Sequence, residues 1–236
     1  MNNKKREKEI KQLLSVIDIN IEDLDDIISS LIHPSFIFEK DSKKIQHNQR
    51  LEFLGDAVVG LVIAEYLYQT YPEEKEGNLT KMRAAIVCEG ALAEAAREIQ
   101  LGKYIQMGKG EKLGGGENRT SNLADAWEAL VGAIYFQVGL DGVRDFILRS
   151  LKKTIEDVAE GNYGDFKTKL QEIVQRMPES EIEYEIIEEN GPDHDKDFLS
   201  GVFINKELVS TGRGKTKKEA EQGAAKAALK NIGDKL

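Results

Sequence analysis

Leu51-Glu-Phe-Leu-Gly-Asp-Ala-Val-Val-Gly-Leu-Val-Ile-Ala64 is the stretch that decides how this chain is read. Its residues are apolar on nearly every face of a helix, so the helix is expected in a core. Its only charges, Glu52 and Asp56, stand at i and i+4 and project from the same side, one turn apart. Residues 123–139, LADAWEALVGAIYFQVG, repeat the arrangement with Asp125 and Glu128 alone. Neither stretch contains Lys or Arg. Carboxylates drawn into apolar surroundings without partners cost several kcal/mol each or take up protons. A hard, oxygen-seeking divalent ion such as Mg²⁺ removes that penalty. One such pair reads equally well as a solvated helix edge, or as acids favoured by a first turn; two pairs favour the metal reading. A di-iron site needs Glu-x-x-His, and neither helix has a histidine. An Asp-rich diphosphate site is the better competitor, but Asp25-Asp26 lacks a third aspartate at the required spacing.

Working outward, residues 1–158 show apolar positions at three- and four-residue spacing throughout. Helices are expected at 6–16, 22–32, 48–70, 78–99, 121–138 and 141–158. Gly108-Lys-Gly-Glu-Lys-Leu-Gly-Gly-Gly-Glu117 reads as a mobile loop rather than a phosphate cradle, having no Gly-Lys-Ser/Thr ending. Residues 159–164 form a Gly-containing linker, and Asp165 can cap a new helix. Phe166, Leu170, Ile173, Val174 and Met177 then line one helical face, which Pro178 ends. Ile182, Tyr184 and Ile186 alternate with glutamates, the pattern of a half-buried strand. Strands at 198–205 and 207–211 turn tightly at Asn205-Lys206. A last helix opens at Thr216, with Glu219 completing a capping box and Ala220, Gly223, Ala224, Ala227 and Ala228 as a small-residue inner face. The fold class is therefore multidomain α and α+β: an all-helical domain at 1–158, a linker at 159–164, and an α-β-β-β-α domain at 165–233.

The 236 residues carry 33 Lys+Arg against 42 Asp+Glu, a net charge of −9, with 40% hydrophobic residues. That is a globular composition, and on bulk charge alone a polyanionic partner looks improbable. The charge is unevenly placed: residues 177–200 hold nine acids and one base, whereas 206–230 hold three acids and seven bases. The single cysteine, Cys88, removes intramolecular disulfides and multi-cysteine zinc sites and fits a reducing compartment. The charged N-terminus leads into no apolar signal core, and no apolar run nears the roughly 20 residues that span a bilayer. The expected location is cytoplasmic, without membrane association.

Asn48-Gln-Arg-Leu-Glu-Phe-Leu-Gly-Asp56-Ala-Val58 closely resembles the signature of ribonuclease III, a family of double-stranded-RNA-specific endonucleases. Glu76-Gly-Asn-Leu-Thr-Lys-Met-Arg83 and Asn122-Leu-Ala-Asp-Ala-Trp-Glu-Ala-Leu130 resemble the family's later blocks, in order. Asp165–Glu172, Gly191–Asp195 and Thr216–Gln222 resemble its double-stranded-RNA-binding domain. The resemblance implies Glu52, Asp125 and Glu128 as metal ligands, with Mg²⁺ as cofactor and Mn²⁺ as a substitute. It implies Asp56 as the group holding the attacking water, Glu128 as essential to catalysis, and Glu76 at the rim of the cleft. Position 49, usually Glu in the family, is Gln49 here, so any role needing charge there is lost. Further implications are 5′-phosphate and 3′-hydroxyl ends, processing of ribosomal RNA precursors and other structured transcripts including messenger RNA, and a homodimer with Phe53 as interface aromatic. The alternative for Phe53 is ordinary core packing. In the second domain, Thr168, Gln171, Glu172 and His194 would read minor grooves, and Lys217 and Lys218, at a helix start, would take phosphate. Glu221 stands where many such domains carry lysine, which lowers the expected affinity. His33 and His47 receive structural roles. The rival readings are a non-catalytic double-stranded-RNA binder and a helical Mg²⁺ enzyme acting on diphosphates.

Overall fold

A computed structural model describes residues 3–40, 46–161, 166–177, 180–191 and 196–233. Asp165, Pro178 and His194 lie outside the described residues. The chain divides into two compact units, residues 1–160 and 161–236.

The first unit is helical: α1 Asn3–Val16, α2 Asp25–Ser30, α3 Pro34–Lys40, α4 Gln49–Thr70, α5 Glu76–Ile86, α6 Glu89–Glu98, α7 Lys109–Leu113, α8 Thr120–Ser150 and α9 Lys152–Ala159. Gly139 breaks α8 with φ +71°, a conformation glycine adopts without strain, so the expected division after 138 is present. The expected helix at 78–99 is instead two: Val87 closes α5, and Cys88, in extended conformation, opens α6. The helix expected at 141–158 is likewise divided at Leu151.

α4 and α8 form the centre of this unit. Val58, Val59, Val62, Ile63 and Leu67 of α4 are buried together with Leu123, Trp127, Leu130 and Ile134 of α8. Trp127 stacks on Phe146 at 5.8 Å. The two helices meet backbone to backbone. A methyl group at Gly55 would overlap the Glu128 carbonyl, and one at Gly132 would overlap the Leu51 carbonyl. The expectation that α4 is apolar to the core on every side fails on one face. Phe53 is 80% exposed, Leu61 54% and Tyr68 75%, an aliphatic and aromatic stripe left open along the helix. Core packing is thus excluded for Phe53.

The Gly-rich segment is more ordered than expected. α7 and a 3₁₀ turn at Gly116–Asn118 fold it around Glu111, which accepts hydrogen bonds from Arg119 Nη1 at 2.6 Å and Asn122 Nδ2 at 2.9 Å. Gly115 supplies a positive φ of 73°, and Gly116 packs against the Glu111 side chain where a Cβ would not fit.

The second unit runs α10 Phe166–Gln175, β1 Ile182–Asn190, β2 Asp197–Ile204, β3 Glu207–Gly214 and α11 Lys217–Gly233. The sheet is antiparallel in the order β1-β2-β3. Asn205 (φ +50°) and Lys206 (φ +68°) make the two-residue turn whose twist suits a hairpin. Burial alternates along β1 as far as Ile186, where a bulge turns Ile187 outward. Thr216 Oγ1 accepts from the Glu219 N–H at 3.1 Å, while Glu219 reaches back to the Lys215 N–H at 2.9 Å, one residue beyond the expected capping-box partner. The buried core joins Leu170 and Val174 of α10, Val202 of β2, and Ala224, Ala225 and Ala228 of α11. Ala225 replaces the expected Ala227 because α11 packs on α10 as well as on the sheet, which rotates its buried arc.

Gly55→Ala is expected to destabilise the fold by on the order of 3 kcal/mol, because the clash is with backbone that cannot rotate away. Gly90→Ala, whose added methyl meets nothing within 4 Å, serves as the control and changes stability by no more than about 1 kcal/mol. Denaturant unfolding of both variants measures the difference.

Candidate active site

The approach permitted by Gly55 and Gly132 sets the charged residues of α4 and α8 side by side. One carboxylate oxygen each from Glu52, Asp125 and Glu128 lies within 4.8 Å of the others. All three residues are half-buried, not deep in the core. None of them has an ion pair or a side-chain hydrogen bond among the described residues. Asp56 is exposed and stands outside this triad, yet its charge is felt by both Glu52 and Glu128. The three acids therefore form a half-buried cluster where α4 and α8 meet, with Asp56 exposed beside it.

Their electrostatics follow from that position. Burial, then the charges of Asp56, Glu52 and Asp125, pushes the Glu128 carboxyl up to about 7. Burial, with Asp125 and Asp56, raises Glu52 above its usual range. Burial and Glu89 raise Asp125, and His33 partly offsets them. Like charges held together in a partly dry cleft either take up protons or take up a cation. The donor set is all hard oxygen, with no Lys or Arg paired to it among the described residues, which fits a divalent ion such as Mg²⁺ or Mn²⁺.

The other sequence-assigned residues lie elsewhere. Gln49 is exposed at the first turn of α4. Glu76 is exposed at the start of α5, accepts a hydrogen bond from Thr80 at 2.9 Å, and does not join the triad. It lines a separate cleft of about 370 Å³ with Ala64, Leu67, Tyr68, Leu79 and Arg83. Sequence reasoning missed the polar support around the acids. Asn48, only 2% exposed, caps the Glu52 turn with its carbonyl, and Asn122 ties the start of α8 to Glu111. His33, read as structural, lies within electrostatic reach of Asp125. No periodicity marks these residues; only their neighbourhood to the acid-bearing helices does.

In the second unit, Thr168, Gln171 and Glu172 form one exposed face of α10. Lys217 and Lys218 are exposed at the first turn of α11. Lys217 pairs loosely with Glu189 at 3.9 Å and lies over the Phe198 ring. Glu221 accepts an ion pair from Lys167 at 2.6 Å, so its charge is spent within the unit.

A family model described as Ribonuclease-III-like matches residues 26–155, and one described as the double-stranded RNA binding motif matches residues 166–232. The chain is 52% identical over 205 residues to the Ribonuclease 3 of Syntrophomonas wolfei, covering 87% of each chain. It is 44% identical to that of Moorella thermoacetica, covering 95% of this chain and 96% of the relative. Among solved structures, the ribonuclease III nuclease domain of Campylobacter jejuni, studied for flexibility in a region involved in dimer formation, matches with a TM-score of 0.58 and 38% identity. That match covers 62% of this chain and 99% of that one. With the acids at the crossing of two helices and an α-β-β-β-α unit following in the chain, these likenesses leave one assignment: the chain belongs to the ribonuclease III family.

Proposed function

We propose that the acid-lined cleft hydrolyses phosphodiester bonds in double-stranded RNA with Mg²⁺ held by Glu52, Asp125 and Glu128. The single observation that carries this reading is the convergence of three unpartnered carboxylates from two helices within 4.8 Å. An ion bound there lowers the pKa of water and offsets the negative charge that develops on the phosphate. Asp56, exposed beside the triad, orients the attacking water and draws on its proton. Attack at phosphorus with loss of the 3′-oxygen leaves a 5′-phosphate and a 3′-hydroxyl. Glu128 is the most electrostatically loaded of the four, and we assign it both a ligand and a catalytic role. Glu76 belongs to the rim in this reading, and Gln49 weakens whatever a charge at that position contributes.

One cleft cuts one strand, so cutting both suits a homodimer whose two-fold axis matches the local dyad of the duplex. The open stripe of Phe53, Leu61 and Tyr68 supports an interface along α4. The second domain, taken as residues 165–233 after a linker at 159–164, holds the duplex. Thr168, Gln171, Glu172 and His194 contact minor-groove 2′-hydroxyls, and Lys217 and Lys218 contact phosphates. We place the activity in the cytoplasm, on ribosomal RNA precursors and other structured transcripts. No helix among the described residues is long and apolar enough to cross a membrane.

Three measurements test this. Incubated with long double-stranded RNA, the wild type is expected to cut with Mg²⁺ and not with EDTA. Glu128→Ala is expected to lose at least about 10³-fold in rate while retaining RNA binding. Binding without cutting by the wild type would make the chain a non-catalytic RNA binder.

The second measurement concerns pH. At sub-saturating Mg²⁺ the cutting rate is expected to climb between about pH 6 and 8, as protons leave a Glu128 carboxyl held near 7. In the metal-free chain the sign for stability is opposite. A raised carboxyl contributes stability that is full below its ordinary value of 4.5 and is lost as pH rises through about 7. Glu128→Gln does not suffer that loss, so its melting temperature is expected to gain on the wild type by about 2–4 °C between pH 5 and 8. A constant difference across that range overturns the assignment.

The third is Gln49→Glu. Rates compared across Mg²⁺ concentrations are expected to saturate at lower Mg²⁺ in the variant, and superimposable curves refute a role for charge at position 49.

A further inference from the structure

The sheet of the second unit has one face packed by helices and one left open. Val202 of β2 lies in the core with residues of α10 and α11, so its neighbours Gly201 and Phe203 point to the opposite side. On the solvated face of an antiparallel sheet, alternation ordinarily leaves polar side chains. β1 obeys this at Glu183 and Glu185, both exposed, and then departs from it. The bulge between Ile186 and Glu188 turns Ile187 outward, and a second register shift, between Val202 and Phe203, sets Leu208 of β3 opposite Phe203. Ile187 and Leu208 both remain half-exposed.

These side chains make one cluster. A methyl group at Gly201, in the central strand, would stand 2.7 Å from Ile187 Cδ1, 2.9 Å from Leu208 Cδ1 and 3.1 Å from Phe203 Cε2. The absent side chain lets an apolar residue from each outer strand reach across β2 and meet over its middle. Bulges re-aim side chains, and here the register shifts put apolar carbon where water is. The border along β1 is acidic: Glu183 pairs across the strands with Phe203, and Glu185 with Gly201. Neither carboxylate has an ion pair or a side-chain hydrogen bond among the described residues. Arg213 of β3 is already held, by Asp197 at 3.2 Å and Glu188 at 3.6 Å.

We propose that this open face docks a basic amphipathic helix of a protein partner, its apolar stripe on Ile187, Phe203 and Leu208 and its Lys or Arg flank against Glu183 and Glu185. Charge selects this occupant. Two free carboxylates repel the phosphates of RNA, and a second copy of the chain brings the same two carboxylates with it. Spacing agrees with a helix: side chains two apart on a strand stand about 7 Å from each other, close to the roughly 6 Å between helix positions i and i+4. Two basic residues one turn apart can therefore each meet one carboxylate. A helix laid on this face adds a further layer to the sheet. The side chains proposed for RNA contact on α10 belong to the helix-packed side, so docking leaves them open. Nothing in this inference depends on the chemistry of the acid cleft.

The probe is a synthetic, dye-labelled helix of about 18 residues, with Leu at three- and four-residue spacing and Lys on both flanks, titrated with the full chain without RNA. Fluorescence anisotropy is expected to give a Kd on the order of 10–100 µM, the range of a small transient contact, and no binding when Glu replaces every Lys. Leu208→Ser is expected to weaken binding at least about 5-fold, with double-stranded RNA cut at the wild-type rate. The double variant Glu183→Gln, Glu185→Gln, which leaves the apolar cluster intact, is expected to weaken it about 3-fold or more and to flatten its salt dependence. Wild-type affinity in either variant overturns the proposal. Binding that survives Leu208→Ser and falls in Glu128→Gln puts the peptide on the acid triad and overturns it as well. Sedimentation without peptide covers the remaining occupant: a lower oligomeric mass in Leu208→Ser than in wild type assigns the face to a second copy and refutes a basic partner helix.

Discussion

The arrangement of the catalytic unit depends on one contact, the seating of Gly55 against the Glu128 carbonyl and of Gly132 against the Leu51 carbonyl. Helices separated by ordinary side chains keep their axes 8–10 Å apart. Two glycines at facing positions let α4 and α8 approach to backbone contact, and the acids flank those same positions. Glu52 and Asp56 bracket Gly55 in sequence, and Glu128 supplies both the carbonyl that excludes a side chain there and a carboxylate of the triad. The proximity that makes the cleft is thus inseparable from the packing that makes the core. Trp127, buried between Asp125 and Glu128 in sequence and stacked on Phe146, anchors the opposite side of α8, so the acids cannot turn away from one another.

That constraint works against the free fold. Three carboxylates within 4.8 Å, with a fourth charge beside them, repel one another, and no lysine or arginine among the described residues relieves them. The cluster persists because the backbone contact beneath it is worth more than the repulsion, and because Glu128 can hold a proton near neutral pH. Strain of this kind is what a cation relieves. A site whose acids were already neutralised by arginine would bind metal poorly; one whose acids were exposed and apart would bind it weakly.

How much of this was legible in the sequence varies with the kind of signal. The two acid pairs stood out because charge in an otherwise apolar helix is rare, and the division into a helical and an α-β-β-β-α unit followed from a change of period at about residue 160. Of the exposed stripe of α4, Phe53 was singled out only through the family resemblance, and Leu61 and Tyr68 not at all. Phe53, Leu61 and Tyr68 are the residue types of a core, and only the absence of a neighbour distinguishes an open face. Asp56 could not be told from its companions, since whether an i+4 residue joins a cluster depends on the crossing angle of the helices, which no spacing encodes. The glycines of 108–117 suggested mobility, whereas Gly115 and Gly116 serve a positive φ and a close approach around Glu111. The segment 31–35, which hydrogen-bonds to Asn48, Gln106 and Gly108, gave no signal, because those partners lie far from it in the chain.

The net charge of −9 looked like an argument against a polyanionic partner, and its distribution dissolves the argument. In the first unit the repelling acids are concentrated at one place, where a bound divalent ion would offset part of their charge. In the second unit some charges are already paired in the free protein, Lys217 of α11 with Glu189 of β1 and Lys167 of α10 with Glu221 of α11. The Lys217 pair, at 3.9 Å and largely exposed, is loose enough to open for a phosphate, which offers a stronger charge at the same helix N-terminus. The tighter Lys167 pair, at 2.6 Å and half-buried, is not easily opened and instead fixes α10 against α11, keeping Thr168, Gln171 and Glu172 on one presented face. Charge in this protein therefore acts locally, and the difference between the weak and the firm ion pair, more than any sum, sets which lysine can open toward an anion.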